Sequence, residues 1–180
     1  MKTIIRVSLF LFILFNSCKT EPPEKQIIRD TIGKQVNLDM FRYVIHNSDT
    51  IPMDSILDTY QYISVVYLLD DCSPCYDKYI NWQKEMIAYS EKEQYTILFV
   101  VAGRYAHRFI DKVDSIESVE HNFYISMDPN YYYPDGNDEV PDWLLEKSIL
   151  IDSDGIVMMA GPPFYNEAMQ QKMLSIIGQE

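Results

Sequence analysis

From Tyr62 to Leu69 the chain carries an almost unbroken apolar, β-branched run of strand length, which stops at two acids, Asp70 and Asp71. A continuous run of this kind marks a strand covered on both faces. The period then changes. Cys75, Tyr79, Trp82 and Met86 recur at steps of three to four, with Tyr76, Ile80 and Ile87 beside them, which is the stripe of an amphipathic helix. A second continuous run, Thr96 to Val101, ends at Ala102-Gly103, and Ala106, Phe109, Ile110, Val113 and Ile116 again step helically. Asn122 to Ser126 reads as a further strand, ending at Met127-Asp128-Pro129. Strand, helix, strand, helix, strand predicts a right-handed α/β sheet.

Beyond it, Lys147 to Asp152 and Ile156 to Ala160 flank a Ser153-Asp154-Gly155 turn, a hairpin signal that predicts an antiparallel edge. Gly161-Pro162-Pro163 breaks the chain, Asn166 can cap, and Met169, Met173, Ile176 and Ile177 line a terminal helix stopped near Gly178, its methionines reading as core filler. The connection from Asp128 to Pro141 is long and irregular. Its Tyr131-Tyr132-Tyr133 run either contacts a partner or packs over the sheet edge, and Asp135, Asp138, Glu139 and Asp142 lack the ordered spacing of a calcium loop.

The amino-terminal third is patterned differently. Lys2 and Arg6 precede an apolar core, Val7 to Phe15, too short to span a bilayer, and small Ser17 precedes Cys18. Residues 1–17 are expected to be a lipoprotein signal peptide, with Cys18 lipidated as the new amino terminus in the cell envelope. Residues 18–26, including the polar Lys19 to Gln26 with its Pro-Pro pair, are expected to form an extended tether, and 27–180 a single domain. Ile27 to Thr50 offers short apolar pieces between turns at Gly33 and at His46-Asn47-Ser48-Asp49, predicting a small hairpin or two at the sheet edge, with His46 solvated.

Charge narrows the partners. The chain carries a net −12, and the leader contributes only positive charge, so the exported domain is more acidic still. Such a balance repels phosphate backbones and anionic headgroups, which excludes nucleic acid as an expected partner and leaves membrane attachment to the lipid. With Cys18 consumed by the anchor, Cys72 and Cys75 remain as an even pair.

These two cysteines stand where the strand ends and the helix begins. Only a thiolate attacks a disulfide, and a helix amino terminus favours negative charge. Cys72 is therefore the expected nucleophile and Cys75, one turn in and towards the sheet, the expected resolving thiol. Pro74 suits a first turn. The alternatives are a static disulfide or half of a zinc site, but no second CxxC exists, and His46, His107 and His121 lack ligand spacing. No cofactor beyond a redox-active disulfide is implied.

The order of elements, Cys72-Ser73-Pro74-Cys75 after its strand, and Ile149-Leu150-Ile151-Asp152-Ser153-Asp154-Gly155 resemble the TlpA-like, redoxin branch of the thioredoxin-like superfamily, across most of Gln26 to Ile177. Within it the chain looks most like envelope lipoproteins. The resemblance implies a central mixed β-sheet flanked by helices with an amino-terminal β extension and an inserted strand, and thiol:disulfide exchange at Cys72 and Cys75. The expected partners are thiols and disulfides of exported proteins and an electron donor. Three positions depart from the pattern: Asp71 replaces a common Trp, Val66 stands where thioredoxins proper bury an acid, and Glu146 occupies the place of a cis-proline. If that layout holds, Glu146, Asp70 and Asp71 oppose the helix dipole at the thiols and make the couple less oxidising; the alternatives for Glu146 are a proton acceptor for Cys75 or a solvated loop residue. A thioredoxin-fold binding or assembly lipoprotein is the alternative function. A peroxidase fits less well, because Leu69, and Cys72 itself, hold the places where a Thr would precede each cysteine.

Overall fold

The structure is a computed structural model that describes residues 22–47, 49–90, 94–116 and 123–178. The leader, Cys18, Lys19 to Glu21, His121 and Asn122 lie outside the described residues. Seven strands form one sheet in the order β2-β1-β5-β4-β3-β6-β7: β1 is Tyr43–His46, β2 Asp49–Pro52, β3 Tyr62–Leu69, β4 Tyr95–Ala102, β5 Tyr124–Asp128, β6 Ile149–Asp152 and β7 Val157–Ala160. The two continuous apolar runs become the central parallel pair, Tyr62 opposite Tyr95 through Leu69 opposite Ala102, and β5 adds to β4 in parallel. β6 runs antiparallel to β3, β7 antiparallel to β6, and β1 antiparallel to β5.

Alternation along β3 and β4 divides the core between two faces. Tyr62, Val66, Leu68, Ile97, Phe99 and Val101 lie with helix α3 (Ser73–Ser90), helix α4 (Ala106–Ile116) and the carboxyl-terminal helix α7 (Glu167–Ile177), through Tyr79, Trp82, Phe109, Val113 and Met173. Ile63, Val65, Tyr67, Leu98 and Val100 face the other way, covered by Val36, Leu38 and Phe41, by helix α2 (Met53–Thr59), by Tyr133, and by Leu144 and Leu145. Both faces of the central strands are thus dry, as their unbroken apolar sequence requires.

The terminal helix is capped as its sequence predicts, with the Met169 N–H donating to Asn166 Oδ1 at 3.0 Å and Gly178 at its end. The β6–β7 turn is held by Asp152, whose Oδ1 accepts the N–H groups of Asp154 and Ile156. Gly155 there has φ +78 and presses on the Val36 carbonyl, so a side chain is excluded.

Four expectations are corrected. The segment from Pro23 is helical, not extended: α1 spans Pro23–Thr31, because the Pro-Pro pair places a proline in the first turn, where its missing N–H costs nothing, with Glu24 and Arg29 complementing the dipole. Strand β5 begins two residues later than expected. The loop after β5 is not wholly irregular, holding helical turns α5 (Tyr132–Asp135) and, beyond Pro141, α6 (Asp142–Leu145). One hairpin, β1–β2, extends the sheet edge, and His46 is half-buried, stacked 4.7 Å from Tyr124, rather than solvated.

Candidate active site

Strand β3 carries Asp70, Asp71 and the cysteines out at the end of the sheet. Cys72 precedes the first residue of α3, exposed Pro74 is its second and Cys75 its third, with the Cys75 N–H donating to the Cys72 carbonyl at 2.9 Å. Cys72 and Cys75 are disulfide-bonded, their Cα atoms 5.2 Å apart. On reduction, the first-turn amides and the dipole of this long helix favour a thiolate there.

Both cysteines are half-buried, so the contrast between them lies in contacts rather than in exposure. Cys75 packs on the core under α3, and its sulfur accepts the Leu69 N–H at 3.4 Å. Cys72 is flanked by the exposed Asp71, Ser73 and Pro74.

The acids expected to crowd the thiols are deployed differently. Asp70 turns towards the next loop, where its carboxylate accepts the Tyr105 N–H at 2.5 Å and fills the space over Gly103, leaving no room for a side chain at that glycine. Its carbonyl accepts the Tyr76 hydroxyl at 2.6 Å. Asp70 therefore ties the β3–α3 turn to the start of α4, while Asp71 faces solvent. Glu146 follows α6 in helical conformation, its peptide bond trans like every other among the described residues, and its side chain is exposed. What joins it to α3 is its carbonyl, not its carboxylate.

That carbonyl is held by Lys78, a residue the sequence reading passed over. Lys78 Nζ donates to the Glu146 carbonyl at 2.7 Å and to the Tyr67 carbonyl of β3 at 3.0 Å. Burial lowers the Lys78 pKa to about 8, against an opposing pull from the nearby Glu146 charge. Ser148, two residues past Glu146, is buried with φ +149, and its hydroxyl has no hydrogen-bond partner. A non-glycine residue at such φ stores strain.

On the other face, Asp128 is buried and its two carboxylate oxygens accept the N–H groups of Tyr132 and Tyr133 at 2.8 and 2.9 Å. The tyrosine run thereby splits. Tyr133 is buried and stacks 5.7 Å from Tyr67, while Tyr131 and Tyr132 are exposed. Burial, and then the charge of Asp128, push the Tyr67 hydroxyl well above its usual range. Val66 is fully buried on the α3 face, so an aliphatic side chain occupies the place of a buried acid. Asp135, Asp138 and Glu139 line one surface pocket, but among the described residues no three such side chains are grouped to hold a metal ion.

No protein-family model and no curated protein sequence matches the chain. Solved structures do. The thioredoxin domain of a thiol-disulfide oxidoreductase from Bacteroides vulgatus superposes with a TM-score of 0.56 at 14% identity, covering 81% of this chain and 97% of that one. A thiol-disulfide oxidoreductase from Bacteroides fragilis gives 0.56 at 12% identity, covering 79% and 99%. A candidate thiol:disulfide interchange protein DsbE from Chlorobium tepidum gives 0.58 at 18% identity, covering 82% and 98%. With its disulfide at the amino end of the helix that follows the central strand, the chain has the thioredoxin-like fold of these structures.

Proposed function

We propose that the protein is a lipid-anchored thiol:disulfide oxidoreductase of the cell envelope, which reduces or reshuffles disulfides in exported proteins through Cys72 and Cys75. The observation that carries the reading is the Cys72–Cys75 disulfide at the head of α3, with Cys75 packed on the core and Cys72 flanked by exposed Asp71, Ser73 and Pro74. In the reduced protein the Cys72 thiolate attacks a substrate disulfide, forming a mixed disulfide and releasing one substrate thiolate. Cys75 then loses its proton and attacks Cys72, which releases the second substrate thiolate and closes the intramolecular disulfide. Two electrons pass to the substrate, and an external dithiol must return them. Exposed Leu69, Tyr105, Tyr131 and Tyr132, at or just beyond the ends of β3, β4 and β5, offer apolar surface for an unfolded segment beside the disulfide.

The test is equilibration with glutathione alongside a disulfide-reduction assay. Cys72→Ser is expected to abolish turnover, Cys75→Ser to trap mixed disulfides, and limiting alkylating reagent to label Cys72 first in the reduced wild type. Preferential labelling of Cys75 reverses the roles. A protein that equilibrates with glutathione yet reduces no substrate disulfide is instead a binding or assembly module, a reading favoured by the non-proline, Lys78-clamped backbone at Glu146. Location has its own test: Cys18→Ala is expected to release the domain from membranes, and unchanged membrane fractionation refutes the anchor.

A further inference from the structure

We propose that Lys78 is a positioning residue for the exchange reaction: by bridging the Tyr67 and Glu146 carbonyls it fixes the loop before β6 against α3 and holds a positive charge one helical turn from Cys75. The proposal rests on the oxidoreductase reading. Positions three apart on a helix lie on one face, and both side chains reach the end of β3, Lys78 Nζ at the Tyr67 carbonyl and the Cys75 sulfur at the Leu69 N–H. The charge is not a mobile surface cation. Two carbonyls hold it, from segments eleven residues before it and sixty-eight after it in sequence. Hydrogen bonds from a charged donor are the stronger kind and offset its loss of water.

The clamp also bears on the strained stretch it closes. Glu146, Lys147 and Ser148 lead into β6, and Ser148 combines φ +149 with an unpartnered buried hydroxyl, features that persist only where surroundings impose them. The Lys78 bond to Glu146 and the Gly161 N–H bond to the Ser148 carbonyl at 2.8 Å are two such restraints. The other charges around this turn are the acids Asp70, Asp71, Asp77 and Glu146 and two cations held on rings, Lys147 at 4.7 Å over Trp143 and Lys112 of α4 at 4.1 Å over Tyr76. Asp70 is engaged by Tyr105, and Lys78 is distinguished from the other two cations by the carbonyls of β3 and of the loop before β6 that hold it.

The experiment compares wild type with Lys78→Met, Lys78→Gln and Lys78→Arg, reading the pH profile of alkylation of the reduced protein, the glutathione redox equilibrium and the melting temperature. Without the positive charge, Met and Gln should move the alkylation midpoint upward by roughly one pH unit. Both should also shift the redox equilibrium towards the disulfide, while Arg stays close to wild type. Met and Gln profiles that overlay the wild type overturn the proposal, whatever happens to the melting temperature, because a purely structural lysine lowers melting without moving the thiol profile. Failure of the wild type itself to equilibrate with glutathione would sink the oxidoreductase reading instead, and the alkylation profiles still decide the role of Lys78.

Discussion

Lys78 shows how a single side chain escapes a sequence reading. Its spacing places it beside the apolar stripe of α3, and nothing local distinguishes it from a solvated lysine. Its partners are carbonyls of β3 and of the loop before β6, visible only once the sheet has assembled. Its titration gives a sharp expectation. A lysine whose pKa falls from 10.5 unfolded to about 8 folded binds fewer protons in the native state between those values. The unfolded state then holds more protons, so stability rises with pH across that window, and the cost of the buried ammonium is fully present below about 8. The buried tyrosines act in the opposite sense only above their unfolded value of 10.0, as the unfolded chain begins to lose protons that the fold retains. Urea midpoints of the oxidised protein are therefore expected to climb from pH 8 to pH 10, and Lys78→Met should flatten the climb. Glu146→Gln should move its onset to lower pH, since the Glu146 charge holds the lysine's pKa up. Glu146→Pro is a poorer probe, because the Glu146 N–H donates to the Asp142 carbonyl at 2.8 Å and proline would remove that bond.

Among the elements, the long ones were legible and the short ones were not. β3, β4, α3, α4 and α7 carry burial on enough residues for periodicity to show, and the Asp-Gly turn and the Asn166 cap are local chemistry. Helices α2, α5 and α6, of four to seven residues, have no propensity that would hold them in isolation. They exist because Met53, Ile56, Tyr133, Leu144 and Leu145 are needed to cover the second face of the sheet. Asp128 is the hinge of that cover, and its dual acceptance from Tyr132 and Tyr133 was hidden in what looked like a strand end followed by loop. Asn137 extends the same logic, its side chain bonding the N–H and carbonyl of Asn37 and the carbonyl of Tyr133. Asp128→Ala leaves two N–H groups without their acceptor and should cost about 2–4 kcal/mol in chemical denaturation. It should also raise the exposure of Tyr133, read by fluorescence quenching. A cost below about 0.5 kcal/mol would mean that water replaces the carboxylate and that the turn is held by Tyr133 packing alone.

For the whole molecule the question is how far the disulfide and the fold depend on each other. The two core faces hold the sheet from both sides, and the cysteines sit at its rim, so the sheet needs no cross-link. Cys72 and Cys75 are three apart, and closing so short a loop removes little freedom from the unfolded chain, about 2 kcal/mol by loop entropy. Reduction should therefore leave a folded, cooperative protein melting about 4–8 °C lower, given roughly 2–4 °C per kcal/mol at this size. The sign of that shift carries the redox direction. Oxidising members of such folds draw their power from a reduced form that is the more stable one, through a strongly stabilised thiolate. Here the helix terminus and Lys78 favour the thiolate, but exposed Asp71, Asp77 and Glu146 lie on the adjoining segments of a chain of net charge −12. The acids keep the stabilisation partial, so the disulfide form is expected to be the more stable one, which makes the dithiol a reductant. Paired urea titrations with and without a small dithiol decide it. A higher midpoint for the oxidised protein agrees with the reductant assignment, and a higher midpoint for the reduced protein would make it a disulfide donor, with Lys78 outweighing the acids around it.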